Sequence, residues 1–231
     1  DLCVVIEDSS LFTGAGWKGR EVSSIVKDVV TSAESKIHAD YAIVVLDEID
    51  KMVTNQSPHS SFSAVNNLLK MMEGAEIVHE EGNKTWRMDT SNLLFICLGA
   101  FDGLENIILN RLNKGKKLGF RTEDERFIPD NIFSLAERQD LLHYGMNTQF
   151  LGRIAMITAT NELGESELEK ILMSSNLSVV TQFDSLLYAA LGIKVSITEN
   201  AAKEIAKRAD QSGTGARALL YELADELKTA L

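Results

Sequence analysis

Ile43-Val44-Val45-Leu46 is the stretch that most restricts what this chain can become. Four consecutive apolar residues, three of them β-branched, predict a strand buried on both faces, as in a parallel sheet covered by helices on either side. Asp47 and Glu48 follow at once, then Ile49 and Asp50. Carboxylates at the carboxyl end of a parallel strand stand where open α/β sheets bind ligands. The plainer alternative is a strand that runs into a solvated acidic turn.

The chain around this strand reads as further α/β units. Leu2 to Ile6 predicts a short strand closed by Asp8-Ser9-Ser10. Thr13-Gly14-Ala15-Gly16-Trp17-Lys18-Gly19 predicts a loop with one large aromatic residue, a core plug or a contact residue, and Lys18 beside it favours contact. Val22, Ile25, Val26, Val29, Val30 and Ala33 have helical spacing and predict one helix from Glu21 to about Lys36. A polar loop is expected over 54–63, then a helix carrying Val65, Leu68, Leu69 and Met72 that stops at Gly74. Ile77 to Arg87 predicts a hairpin turning at Glu81-Gly82-Asn83. Leu93 to Leu98 predicts a second fully apolar strand, and Ile154 to Thr158 another. Between them, residues 113–135 read as a mobile polar insertion, followed by a short helix from Glu137 to Tyr144.

Beyond Asn161 the pattern is helical, apart from an extended piece at Lys194 to Ile197. Thr198 is placed to cap a helix burying Ala201, Ala202, Ile205 and Ala209, and a last helix is expected to bury Leu219, Leu220, Leu223 and Leu227. The reading is therefore an α/β domain over 1–161 and a small helical domain over 162–231.

The net charge of −11 argues against a generic nucleic-acid or anionic-membrane surface. Cys3 and Cys97 both fall in expected buried strands and read as free core thiols of a reducing compartment, hence a cytoplasmic protein. The chain begins at Asp1, inside an expected strand, which reads as a piece of a longer protein or a numbering that starts partway.

Four apolar residues followed by Asp-Glu also fit a Walker B strand, in which Asp47 would hold Mg²⁺ indirectly and Glu48 would orient the attacking water. Taken with the glycine–aromatic loop, Asp89-Thr90-Ser91 through Phe101, Gln149 to Arg153, and Gly213 to Arg217, the chain resembles the AAA+ unfoldases of the Clp/Hsp100 group. The ClpX branch is the most similar and the HslU branch the second.

That resemblance implies a P-loop NTPase-type parallel-sheet domain followed by a small helical lid. It also implies ATP and Mg²⁺ as ligands, a hexameric ring of identical subunits, unfolded or tagged proteins as substrates, and a ClpP-like peptidase as partner. Gly16, Trp17, Lys18 and Gly19 align with the pore loop, where Trp17 would grip polypeptide and Lys18 departs from the usual apolar residue. Arg153 aligns with the arginine finger that reaches a neighbouring subunit's nucleotide, and Arg217 with the lid arginine that contacts nucleotide. Leu118-Gly119-Phe120 aligns with the tripeptide that docks on the peptidase.

No Gly-x-x-x-x-Gly-Lys-Ser/Thr string occurs in these residues, so this chain by itself is expected to bind ATP weakly or not at all. An inactive AAA+ scaffold, a nucleic-acid-directed AAA+ motor, and an unfoldase without a peptidase are the rival readings.

Overall fold

A computed structural model describes residues 2–13, 19–54, 59–114, 131–174 and 178–230. The chain divides into two compact units, Asp1–Ala159 and Thr160–Leu231.

The first unit is built on strands β1 (Val4–Asp8), β2 (Ile43–Asp47), β3 (Glu76–Glu81), β4 (Lys84–Asp89) and β5 (Leu94–Cys97). Its helices are α1 (Ser24–Ser32), α2 (Lys36–Asp40), α3 (Ile49–Val53), α4 (His59–Met72), α5 (Leu104–Lys114), α6 (Arg138–Tyr144) and α7 (Thr148–Leu151). Strands β1, β2 and β5 form a parallel sheet with β2 in the middle, and β3 and β4 pair as an antiparallel hairpin. This is the α/β, P-loop NTPase-type arrangement. Helix α1 packs against both β1 and the hairpin, with Ile25, Val26 and Val29 buried and Val22 buried in the turn before it. Thr90 fixes the hairpin to the end of α4: its hydroxyl accepts from the Ala75 amide (3.0 Å) and donates to the Met71 carbonyl (2.8 Å).

The sheet is not buried on both faces. Register sets Val5, Val44 and Phe95 in one row of the α1 face, and Glu7, Leu46 and Cys97 in the next. The opposite face carries Val4, Ile43 and Leu94, then Ile6, Val45 and Ile96. Ile6 is 71% exposed and Leu94 55%, because no described helix packs over them. β5 is thus a half-exposed edge strand, and Cys97 is only half-buried, although burial still raises its thiol pKa to about 11. Cys3 lies before β1, is buried, and donates weakly to the Val29 carbonyl. Both cysteines are free.

Other expectations are corrected. The single helix over 21–36 is two: Ala33 turns to extended backbone, and the Ser35 hydroxyl caps α2 by accepting from the His38 amide. Helix α3 follows β2 directly, and α4 begins at His59, inside the expected loop. Of the expected insertion 113–135, Asn113 and Lys114 belong to α5 and Ile132–Leu135 form a 3₁₀ turn packed against α5, while 115–130 lie outside the described residues. Residues 154–158 join no sheet, and the Ile154 carbonyl accepts instead from Arg138 Nη2 (2.7 Å).

The second unit holds α8 (Glu165–Ser174), α9 (Val179–Leu191), α10 (Glu199–Gln211) and α11 (Ala216–Ala230). Leu168, Leu172, Ala202, Ile205, Ala206, Ala209, Leu219 and Leu223 make its core. Ala201 and Leu220, expected inside, face solvent instead. Thr198 Oγ1 caps α10 by accepting from the Ala201 amide (3.3 Å). Arg208 ties α10 to α11 through Glu222 (3.1 Å) and Glu226 (2.5 Å).

Candidate functional site

The carboxyl ends of the three parallel strands lie side by side, and acids collect there. Asp8 and Asp47 are register partners at the ends of β1 and β2. Asp47 is exposed, and its Oδ1 accepts from the Glu48 amide (2.8 Å). Asp8 is held below its ordinary pKa, first by the Ser10 hydroxyl and then by the Ser10 amide.

Glu48 has φ 53° and ψ 35°, in the left-handed region. A residue with a Cβ adopts that conformation at a cost of about 1–3 kcal/mol, and only where its surroundings impose it. Here the surroundings are the start of α3: the Ile49 amide donates to the Leu98 carbonyl at the end of β5 (2.9 Å), which fixes the turn. The Glu48 carboxylate is thereby turned out of the strand and meets Lys51 Nζ at 2.7 Å.

Phe101, after β5, is the second left-handed residue, at φ 52°. Its amide donates to Asp50 Oδ2 (3.3 Å), and Asp50 is buried. Gly99 leaves the room for this: a Cβ there would stand 2.6 Å from Asp50 Oδ1 and 2.8 Å from the Phe101 ring. The ends of β2 and β5 are therefore knitted into one rigid rim. Asp50, Lys51, Thr54, Asp102 and Tyr144 line a cavity of about 350 Å³ beside it. Burial, then the charges of Asp50, Asp102 and Glu105, push the Tyr144 phenol pKa up.

Asp47 and Glu48 are adjacent at this rim. Arg153 follows α7, where Nη1 donates to the Gln149 carbonyl (2.8 Å) and Nη2 pairs with Glu73. Gly19 closes the segment that holds the expected pore loop, whereas Gly16, Trp17 and Lys18 lie outside the described residues, as do Leu118, Gly119 and Phe120. Arg217 lies in the second unit, at the start of α11 after two left-handed glycines, Gly213 (φ 68°) and Gly215 (φ 60°); it is exposed.

Sequence reasoning missed the neighbours of the acid pair. Asp8 was visible only as the end of a strand, and its place beside Asp47 needs the parallel register. Lys51, at i+3 from Glu48, carries a signal in its spacing once α3 is known to start at once.

An Mg²⁺ ion asks for little protein in such sites: one or two carboxylates, with phosphate oxygens and water completing the octahedron. An exposed Asp47 carboxylate fits that demand. Among the described residues no group of three or more His, Cys, Asp or Glu side chains forms a metal site of its own. No helix of the described residues is long and apolar enough to cross a membrane.

Comparison with known proteins adds the following. A model of the AAA domain (Cdc48 subfamily) matches residues 25–157. The ATP-dependent Clp protease ATP-binding subunit ClpX of Treponema denticola is 31% identical over 231 residues, covering 93% of this chain and 55% of the relative. The ClpX subunit of Azotobacter vinelandii is 31% identical over 228 residues, covering 92% and 52%. The chain therefore spans about half the length of the curated relatives it matches.

Proposed function

The chain belongs to the AAA family and is ClpX-like, and on that premise we propose that it serves an ATP-driven ring that unfolds proteins and threads them through its pore. The observation that carries this reading is the acid pair at the end of the central parallel strand, with Glu48 held at φ 53° and its carboxylate turned outward. Asp47 would hold Mg²⁺ and Glu48 would orient and polarise water. The ion, when bound, neutralises charge developing on the phosphates. Arg153 would serve the neighbouring subunit's nucleotide, which requires a head-to-tail ring, hexameric in this reading. It must first leave Glu73. Arg217 would contact nucleotide from the small domain, over 162–231. In this reading Trp17, between Gly16, Lys18 and Gly19, grips the polypeptide, and Leu118-Gly119-Phe120 docks on a ClpP-like peptidase in the cytoplasm.

The test is Glu48→Gln in the assembled protein. ATP hydrolysis falls by about 10²-fold or more while nucleotide binding persists, since the lost group acts on water and not on affinity. Unfolding of a tagged substrate stops with it. Unchanged hydrolysis, or hydrolysis that rises on adding DNA, sinks the reading.

A further inference from the structure

Arg20 is where the strand, the helix and the segment leading to Trp17 meet. Its backbone closes the segment: the Thr13 amide donates to the Arg20 carbonyl (2.9 Å), and the Arg20 amide donates to the Leu11 carbonyl (3.1 Å). Phe12 and Arg20 form an isolated parallel bridge, so the described residues on either side of 14–18 are joined into a defined stem. Gly19 is part of that stem. At φ 155° it lies against Thr13 so closely that a Cβ would stand 2.5 Å from the threonine side chain.

The side chain fastens the stem to the body of the unit. Nη1 donates to Glu7 Oε2 on β1 (2.5 Å). Nη2 donates to Ser24 Oγ on α1 (3.1 Å) and pairs with Asp28, one turn further along. The guanidinium carbon lies 5.8 Å from the centre of the Phe12 ring, itself buried. Glu7 is 3% exposed, so its carboxylate has been taken out of water and depends on this arginine. The planar fork of Arg addresses both acids and the hydroxyl at once. A lysine ammonium reaches the same region as a single point charge.

We propose that Arg20 is a positioning residue: through Glu7 and Asp28 it clamps the stem of the 14–18 segment to β1 and α1, and so sets where that segment leaves and rejoins the body. The clamp is a property of the chain itself. Its consequence for polypeptide grip rests on the pore reading of Trp17.

Amide hydrogen exchange on the whole chain reads the clamp without ATP, ring or substrate. In Arg20→Met, exchange at Thr13 and at residue 20 rises about tenfold or more, while β2 and the amides of α4 keep their protection. Arg20→Lys restores part of the loss. Asp28→Asn, at a half-exposed site that tolerates the change, gives a smaller rise at the same two amides. Unchanged stem exchange in Arg20→Met and Asp28→Asn overturns the clamp, and so does a uniform rise over β2 and α4. In the assembled protein Arg20→Met then raises KM for an unfolded polypeptide several-fold with little change in kcat, and Arg20→Lys recovers part of it. If Trp17→Ala leaves polypeptide handling intact while the stem amides respond as stated, the pore reading fails and the clamp stands.

Discussion

Two buried carboxylates in the first unit each meet an arginine, and they behave in opposite ways. Glu7 on β1 is 3% exposed and Asp140 on α6 is 1% exposed. Burial pushes the Glu7 carboxyl above its ordinary pKa; Arg20 pulls against this, and Asp28 adds to it. Burial pushes Asp140 the same way, but the Arg111 bonds and the Glu137 amide outweigh it and hold its pKa low. The difference lies in the donors. Asp140 receives Arg111 Nε (2.9 and 3.1 Å), Nη2 (2.9 Å) and the Glu137 amide (2.8 Å). Arg111 is itself fixed by the Leu135 carbonyl (2.6 Å) and Glu137 (2.8 Å). Glu7 has one guanidinium nitrogen, on an arginine it shares with a second acid. An arginine alone does not make a buried acid comfortable; the number of donors aimed at it does, and Arg111 gives Asp140 its Nε and Nη2 while Nη1 holds Glu137. One pair is a fixed corner joining α5 to α6, and the other is a softer anchor beside the Phe12–Arg20 bridge.

The hardest way to break this contrast is to remove each arginine in turn. Arg111→Met leaves Asp140 buried without its fork and should cost about 3–5 kcal/mol in urea unfolding. Arg20→Met should cost less, because the Glu7 carboxyl is already inclined to take up a proton. Equal losses would refute the distinction. Gly19→Ala attacks the softer region through the backbone, forcing a Cβ against Thr13, and should cost about 1–3 kcal/mol.

Acid separates the pairs by sign. Asp140, with its pKa lowered, contributes stability that is fully present above the ordinary value of 3.8 and is lost as pH falls through its lowered value. Glu7, with its pKa raised, carries a cost that is present at neutral pH. That cost is relieved as pH falls through the raised value toward the ordinary 4.5. Asp140→Asn should therefore flatten the stability profile below about pH 3.8, and Glu7→Gln should flatten it just above about pH 4.5. Urea midpoints across pH 3–7 check both. A Glu7→Gln profile parallel to the parent's removes Glu7 from the account.

This contrast also marks what could be read from residues alone. The β2 strand, the hairpin turning at Gly82, the face of α4 and the short α6 were legible, because each depends on local pattern or turn chemistry. The exposed rows of Val4, Ile6, Leu94 and Ile96 were not, since an apolar strand does not say which of its neighbours is present. The α1–α2 break was hidden because Ser35 competes for the backbone only through its side chain. Asp47 and Glu48 were legible as a pair at a strand end. The left-handed turn at Glu48 was not, because it comes from the Ile49–Leu98 bond across the sheet. Neither arginine clamp could be seen: Arg20 stands 13 residues from Glu7, and Arg111 stands 29 from Asp140.

The gentlest change isolates the second acid on Arg20. Asp28→Asn keeps the size of the side chain and its contact with Arg20 and removes only the charge. Stability should shift by less than about 1 kcal/mol, since Asp28 is 30% exposed and its pair is partly screened. The Glu7 carboxyl pKa, followed by carbon-detected NMR titration, should nevertheless fall. Arg20 would then serve one acid in place of two, and a neighbouring like charge would be gone. A Glu7 value that stays where it was would mean that burial alone holds it up. The two pairs would then differ in donor count, and the second carboxylate on α1 would have no part in the difference.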